Sequence, residues 1–151
     1  MGNPRPLTIT LLEDRFSFDP FVIHVDDGII EGFAKTNPLQ GRLKFSNVPA
    51  EIIKLAHWDF GYDFSGTVFG EVSLGQDLNP DDFSLDITLK NGELANQPFD
   101  EFYISSLYKE GILHLEELTL TDGNKTGFQI MGTFPILADS TQPTQIDFQS
   151  S

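Results

Sequence analysis

Apolar and polar positions alternate along much of this chain. Between residues 83 and 90, Phe83, Leu85, Ile87 and Leu89 take one parity and Ser84, Asp86, Thr88 and Lys90 the other. That is the two-residue period of a strand with one oily face and one wet face. Asn91-Gly92 tolerates positive φ and Leu94 resumes the pattern, so a hairpin turn is expected at the dipeptide. Downstream, residues 111–115, with Leu113 and Leu115, and 118–121, with Leu118 and Leu120, read as two short strands. Residues 122–125 form the next turn, and Phe128, Ile130, Gly132, Phe134 and Ile136 alternate along the last clear strand.

The same grammar holds upstream. Leu7, Ile9 and Leu11 share a parity, residues 13–15 are a polar reversal before Phe16 and Phe18, and residues 21–25 form another run. Asp26-Asp27-Gly28 is a turn signal, and Asn37-Pro38 with Gly41 marks a break before Leu43 and Phe45. Between residues 64 and 75, Val68, Gly70, Val72 and Leu74 share one face with Gly66. Glycine inside a strand marks a bend or bulge, so the sheet is expected to curve. Residues 76–82 form a loop around Asn79-Pro80.

One helix is predicted, over residues 48–57. Asn47 or Val48 stands at the cap, Pro49 in the first turn and Glu51 near the positive end. Ile52, Leu55 and Ala56 form its apolar stripe, expected to lie as a structural plug on an edge or end of the sheet. The fold class is therefore all-β, a mainly antiparallel meander with one short helix. Residues 1–6 are expected to be a disordered or non-native start and 7–137 the β segment of a longer chain. Residues 138–151 read as a polar tail with a weak edge strand at Ile146 and Phe148.

Composition narrows the function classes. At 151 residues the chain suits one domain, and it has no cysteine for disulfides, thiolate ligands or a thiol nucleophile. A net charge of -14 disfavours nucleic acid, whose phosphates call for clustered Lys and Arg. The aromatic content is 14 Phe against one Trp and three Tyr, which favours oily surface over a sugar-binding platform. His24, His57 and His114 lack metal-ligand spacing, and no nucleophile elbow, P-loop or dinucleotide fingerprint occurs. The acidic pairs Asp26-Asp27 and Asp81-Asp82 fit turns, as does Asp122-Gly123-Asn124, which lacks the ligand spacing of a calcium loop. No catalytic residue, metal or cofactor is expected.

The glycine-rich strand at 64–75, the loop with Pro80, the strand and turn at 83–94, and the strand, turn and ending at 111–123 and 130–134 together resemble the TamB/AsmA-like family of bridge-like lipid-transfer proteins. The likeness spans about residues 39–136. It implies a taco-like or U-shaped apolar groove in a periplasmic region of an inner-membrane-anchored protein, moving phospholipid or another acyl-chain lipid between inner and outer membrane and contributing to outer-membrane biogenesis. Neighbouring segments of the same longer chain would be partners, while docking to a TamA-like outer-membrane partner and the membrane anchor would lie in other parts of that protein. The groove residues expected on this basis are Val68, Val72, Leu74, Phe83, Leu85, Ile87, Leu89, Leu113, Leu115, Leu118, Leu120, Phe128, Ile130 and Phe134. The competing reading is a β-sandwich or jelly-roll binding or adhesion module, carbohydrate being one candidate ligand; its weakness is the single Trp58 and the three scattered tyrosines Tyr62, Tyr103 and Tyr108. An enzyme ranks third.

Overall fold

A computed structural model describes residues 9–12, 15–36, 39–52, 64–75, 82–94, 97–123, 125–136 and 143–150. These form ten strands: β1 (Ile9–Leu12), β2 (Arg15–Val25), β3 (Gly28–Lys35), β4 (Gln40–Pro49), β5 (Phe64–Leu74), β6 (Phe83–Leu94), β7 (Gln97–Lys109), β8 (Ile112–Asp122), β9 (Lys125–Pro135) and β10 (Gln145–Ser150). Strand order in space equals strand order in sequence, and every neighbouring pair is antiparallel. The sheet is curved and open, with β1 at one edge and β10 at the other.

Turn chemistry explains the short connections. Asp26 takes a φ of 51° between β2 and β3, Glu110 and Gly111 take 52° and 82° between β7 and β8, and Gly123 takes 63° after β8. These are the left-handed conformations that tight hairpin turns require, and they suit Gly, Asn and Asp. The backbone N–H of Gly123 also donates to the Asp100 carboxylate at 2.6 Å.

Longer strands than expected arise from bulges. The apolar runs in β8, Leu113 with Leu115 and Leu118 with Leu120, have opposite parity, which suggests two strands. In the structure β8 is continuous, and an extra residue at Glu116–Glu117 shifts its register against both β7 and β9. One inserted residue restores the side-chain phase, so all four leucines face the same way. The same device unites Phe18 with Phe21 in β2 across Asp19-Pro20, and Phe45 with Val48 in β4 across Ser46-Asn47. Pro20, lacking an N–H, is tolerated because it lies at such an irregularity.

Two expectations are corrected. Asn91-Gly92 does not turn the chain: β6 runs through it to Leu94, and the dipeptide forms a bulge opposite Gly66 of β5, with Asn91 at a φ of 48°. The left-handed backbone was foreseeable, but a bulge uses it as readily as a turn does. Nor does a helix begin at residue 48. Asn47, Val48 and Pro49 complete β4, with Val48 paired to Val68 and Pro49 to Thr67. Asn47, expected as a cap, holds a φ of 58° in the β4 bulge, and its side-chain amide donates to the Asp27 carbonyl at 3.3 Å. Residues 50–52 make one 3-10 turn, while 53–57 and the stripe residues Leu55 and Ala56 lie outside the described residues.

Candidate functional site

Residues paired across antiparallel strands project to the same side of a sheet. Following the pairing from β2 to β10 gives four rows running across the strands on one face. The first runs Phe18, Ala34, Gly41, Leu74, Phe83, Tyr108, Leu113, Phe134, and the second Phe21, Gly32, Leu43, Val72, Leu85, Ser106, Leu115, Gly132, Ile146. Ile23, Ile30, Phe45, Gly70, Ile87, Ile104, Leu118, Ile130 and Phe148 make the third. The fourth is Val48, Val68, Leu89, Phe102, Leu120 and Phe128. Adjacent rows are two residues apart along a strand, roughly 7 Å, and the strands stand about 4.8 Å apart. The result is a nearly pure hydrocarbon surface crossing the sheet from side to side.

Every residue expected to line a groove lies on this face, in one of these rows. Sequence reading missed the β7 contribution of Phe102, Ile104 and Tyr108. Its signal was the alternation Phe102, Ile104, Ser106, Tyr108, masked by Tyr103 and Leu107 at the intervening positions and by the polar Ser106. It also gave Phe21, Ile23, Ile30, Leu43 and Phe45 no place in the groove and made Val48 a candidate helix cap, because bulges at 19–20 and 46–47 break the parity of β2 and β4, and in β3 Ile29 and Phe33 put bulk on the other parity. No second layer of strands covers the face among the described residues. Leu43 is 38% exposed, Leu74 40%, Ile146 57% and Phe148 62%.

Among the described residues, a turn covers the face at one place. Val48, Ala50 and Val68 form a small buried cluster against which Ile30, Phe45, Ile52, Phe64, Ile87 and Leu89 pack. The 3-10 turn thus folds back over the fourth row at β4, β5 and β6.

The opposite face is polar and cross-linked. Arg42 of β4 pairs with the Glu71 carboxylate of β5, which also accepts from the Ser73 hydroxyl at 3.0 Å. The hydrogen bond from Arg42 holds the Glu71 carboxyl below its ordinary range, against a smaller upward push from burial, and the guanidinium is correspondingly raised. Tyr103 donates to Asp86 at 2.8 Å, which with desolvation raises its phenol. Lys90 reaches Glu101 at 3.3 Å and stands 5.9 Å from the Phe69 ring centre, and Gln129 donates to Glu117 at 3.3 Å. Exposed pairs of this kind contribute about 0–1 kcal/mol each, so they order the outer face more than they hold the fold. Val22, Ile29, Phe33, Phe69, Leu107 and Met131 interrupt its polarity, Val22 paired with Glu31 and Phe33 with Arg42.

Candidate chemistry does not converge. His24 is exposed, and His114 pairs with Leu107 and Thr133 on the polar face, while His57 lies outside the described residues. Asp26 and Asp27 form a turn, and the Asp82 carbonyl accepts from Gly75 N–H at 2.8 Å to close the β5–β6 connection. Among the described residues no group of three or more His, Cys, Asp or Glu is placed to hold a metal ion. Tyr103 and Tyr108 fall on opposite faces of β7, and Trp58 and Tyr62 lie outside the described residues. Comparison with protein families, with curated proteins and with solved structures finds no match to this chain.

Proposed function

We propose that this chain is a β-groove segment of an envelope protein of the TamB/AsmA-like kind, which carries phospholipid acyl chains along its apolar face through the periplasm, between inner and outer membrane. The observation that carries this reading is the continuous apolar face of β2 to β10, which no second layer of strands covers among the described residues. A sandwich needs two sheets, whereas the ten strands form one. Each methylene withdrawn from water onto this surface contributes about 0.8 kcal/mol, so a long chain is held without any specific hydrogen bond. Because the rows repeat from strand to strand, a chain displaced by one strand meets a similar environment. Movement along the sheet then costs little, and headgroups stay in water at the open side. No covalent chemistry is involved.

The test contrasts the two faces of the sheet. Leu85→Asp and Ile130→Asp place a carboxylate in the open second and third rows, where water reaches it. Thr88→Asp places one on the polar side, opposite Phe69 and Tyr103. Purified protein would be extracted for lipid mass spectrometry and melted in parallel. Phospholipid should accompany the parent and Thr88→Asp, and be lost from the folded Leu85→Asp and Ile130→Asp proteins. Retention of lipid by these two variants, or a parent free of lipid after exposure to phospholipid vesicles, would refute the reading.

A further inference from the structure

The apolar face is not equally available along its length. In β5, Val68 and Leu74 project to the same side, yet Val68 is 5% exposed and Leu74 40%. Cross-strand neighbours supply part of the contrast, since Leu74 sits between Gly41 and Phe83 and Val68 between Val48 and Leu89. The 3-10 turn adds to it: Ala50, itself 0% exposed, packs with Val48 and Val68, and Ile52 joins from beside it. Ile30, Phe45, Ile87 and Leu89 are drawn into the same contact. The turn therefore occupies the fourth row and shoulders the third from β3 to β6. The first and second rows stay open there, with Leu43 at 38% exposure. At β7 to β9 the residues of all four rows are partly exposed, apart from Ser106 of the second row at 6%.

We propose that residues 50–52 act as a built-in constriction of the apolar track, confining acyl chains at β4 to β6 to the two rows formed by Leu43, Val72, Leu85 and by Leu74, Phe83. This rests on the acyl-chain reading above and deepens it. It divides the expected groove residues into two kinds. Val72, Leu74, Phe83 and Leu85 touch cargo, whereas Val68 and Leu89 seat the turn and position the constriction. Ile87 lies on the boundary. The cargo's path is thus narrow at β4 to β6 and wide at β7 to β9, and the width is set by Ala50 and Ile52.

A photoreactive lipid reads the path directly. The whole chain would be irradiated with vesicles of phosphatidylcholine bearing a mid-chain diazirine, and adducts located by peptide mass spectrometry. Adducts are expected on Leu43, Val72, Leu74 or Leu85 and absent from Val48 and Val68. In Ile52→Asp the new carboxylate draws the turn into water, and adducts should spread to Val68 and Leu89, with circular dichroism confirming that the strands persist. Labelling of Val48 and Val68 in the parent to the level of Leu74, or an unchanged map in folded Ile52→Asp, would overturn the constriction. Absence of adducts from the entire apolar face would instead remove the acyl-chain reading on which it stands.

Discussion

Gly70 shows how closely the backbone constrains single positions in this sheet. Its φ is 128°, and a Cβ there would stand 2.0 Å from the Asp86 carbonyl oxygen of the neighbouring strand. Gly70→Ala should therefore destabilise the protein by at least about 2 kcal/mol, since neither the strained backbone nor the β6 main chain can give way cheaply. Gly41→Ala, where the new Cβ meets nothing closer than 3.4 Å, should change stability by less than about 1 kcal/mol. Urea unfolding of the two variants makes the comparison. A second residue-scale expectation concerns Glu71, whose carboxyl is lowered in the folded state by Arg42. A depressed acid stabilises the fold above its unfolded value and loses that contribution as pH falls through the folded one. The stability difference between the parent and Glu71→Gln should thus be present at neutral pH and vanish on acidification past the usual carboxylate range; a difference independent of pH would contradict this. The apolar face was legible in β5, β6 and β9, because Val72, Leu85 or Phe128 belongs to an uninterrupted alternation, and in β8 within each of its two runs. It was not legible in β7, where Tyr103 and Leu107 put bulk on the wet side and the pattern loses contrast.

At the scale of the element, the less legible features were bulges, and each has a parity break as its trace. Phe18 to Phe21, Phe45 to Val48 and Leu115 to Leu118 are odd steps between residues that end up on one face. An odd step reads equally as the end of one strand and the start of another, and only pairing with both neighbours decides. Asn47 and Asn91 were each assigned a different role, cap and turn, yet both are left-handed residues within strands. Local propensity specified the backbone conformation and was silent about its use, because cap, turn and bulge all suit Asn. Asn91→Gly should accordingly be nearly neutral, while Asn91→Val, β-branched in a left-handed site, should cost about 1–2 kcal/mol by thermal or urea melt. An equal cost for both would point to a side-chain contact of Asn91 instead. The outermost element, β10, carries Ile146 and Phe148 more than half exposed, and no strand pairs with its far edge among the described residues. Such an edge invites another strand, so the parent should associate with rising concentration and Phe148→Lys should weaken that association in sedimentation velocity. Identical monomeric sedimentation of both proteins would refute the expectation.

For the molecule as a whole, the plain meander means that each strand pairs only with the strands before and after it in sequence. Contacts made between sequence neighbours close short loops, so little entropy is lost before each hairpin is rewarded. Folding of such a sheet can nucleate in one hairpin and propagate outward, and its stability resembles a sum over neighbouring pairs more than a single all-or-none quantity. The buried Val48, Ala50 and Val68 cluster is the natural starting point, because it supplies the least exposed apolar contacts described. Amide hydrogen exchange should then be slowest in β4 and β5 around Val48 and Val68 and quicken strand by strand toward β10. Uniform protection from β4 to β10 would show instead that the sheet opens as one unit. A graded profile would mean that the far strands come and go many times during the life of the centre, and that the sheet can be lengthened or shortened at its edge without refolding what lies behind it.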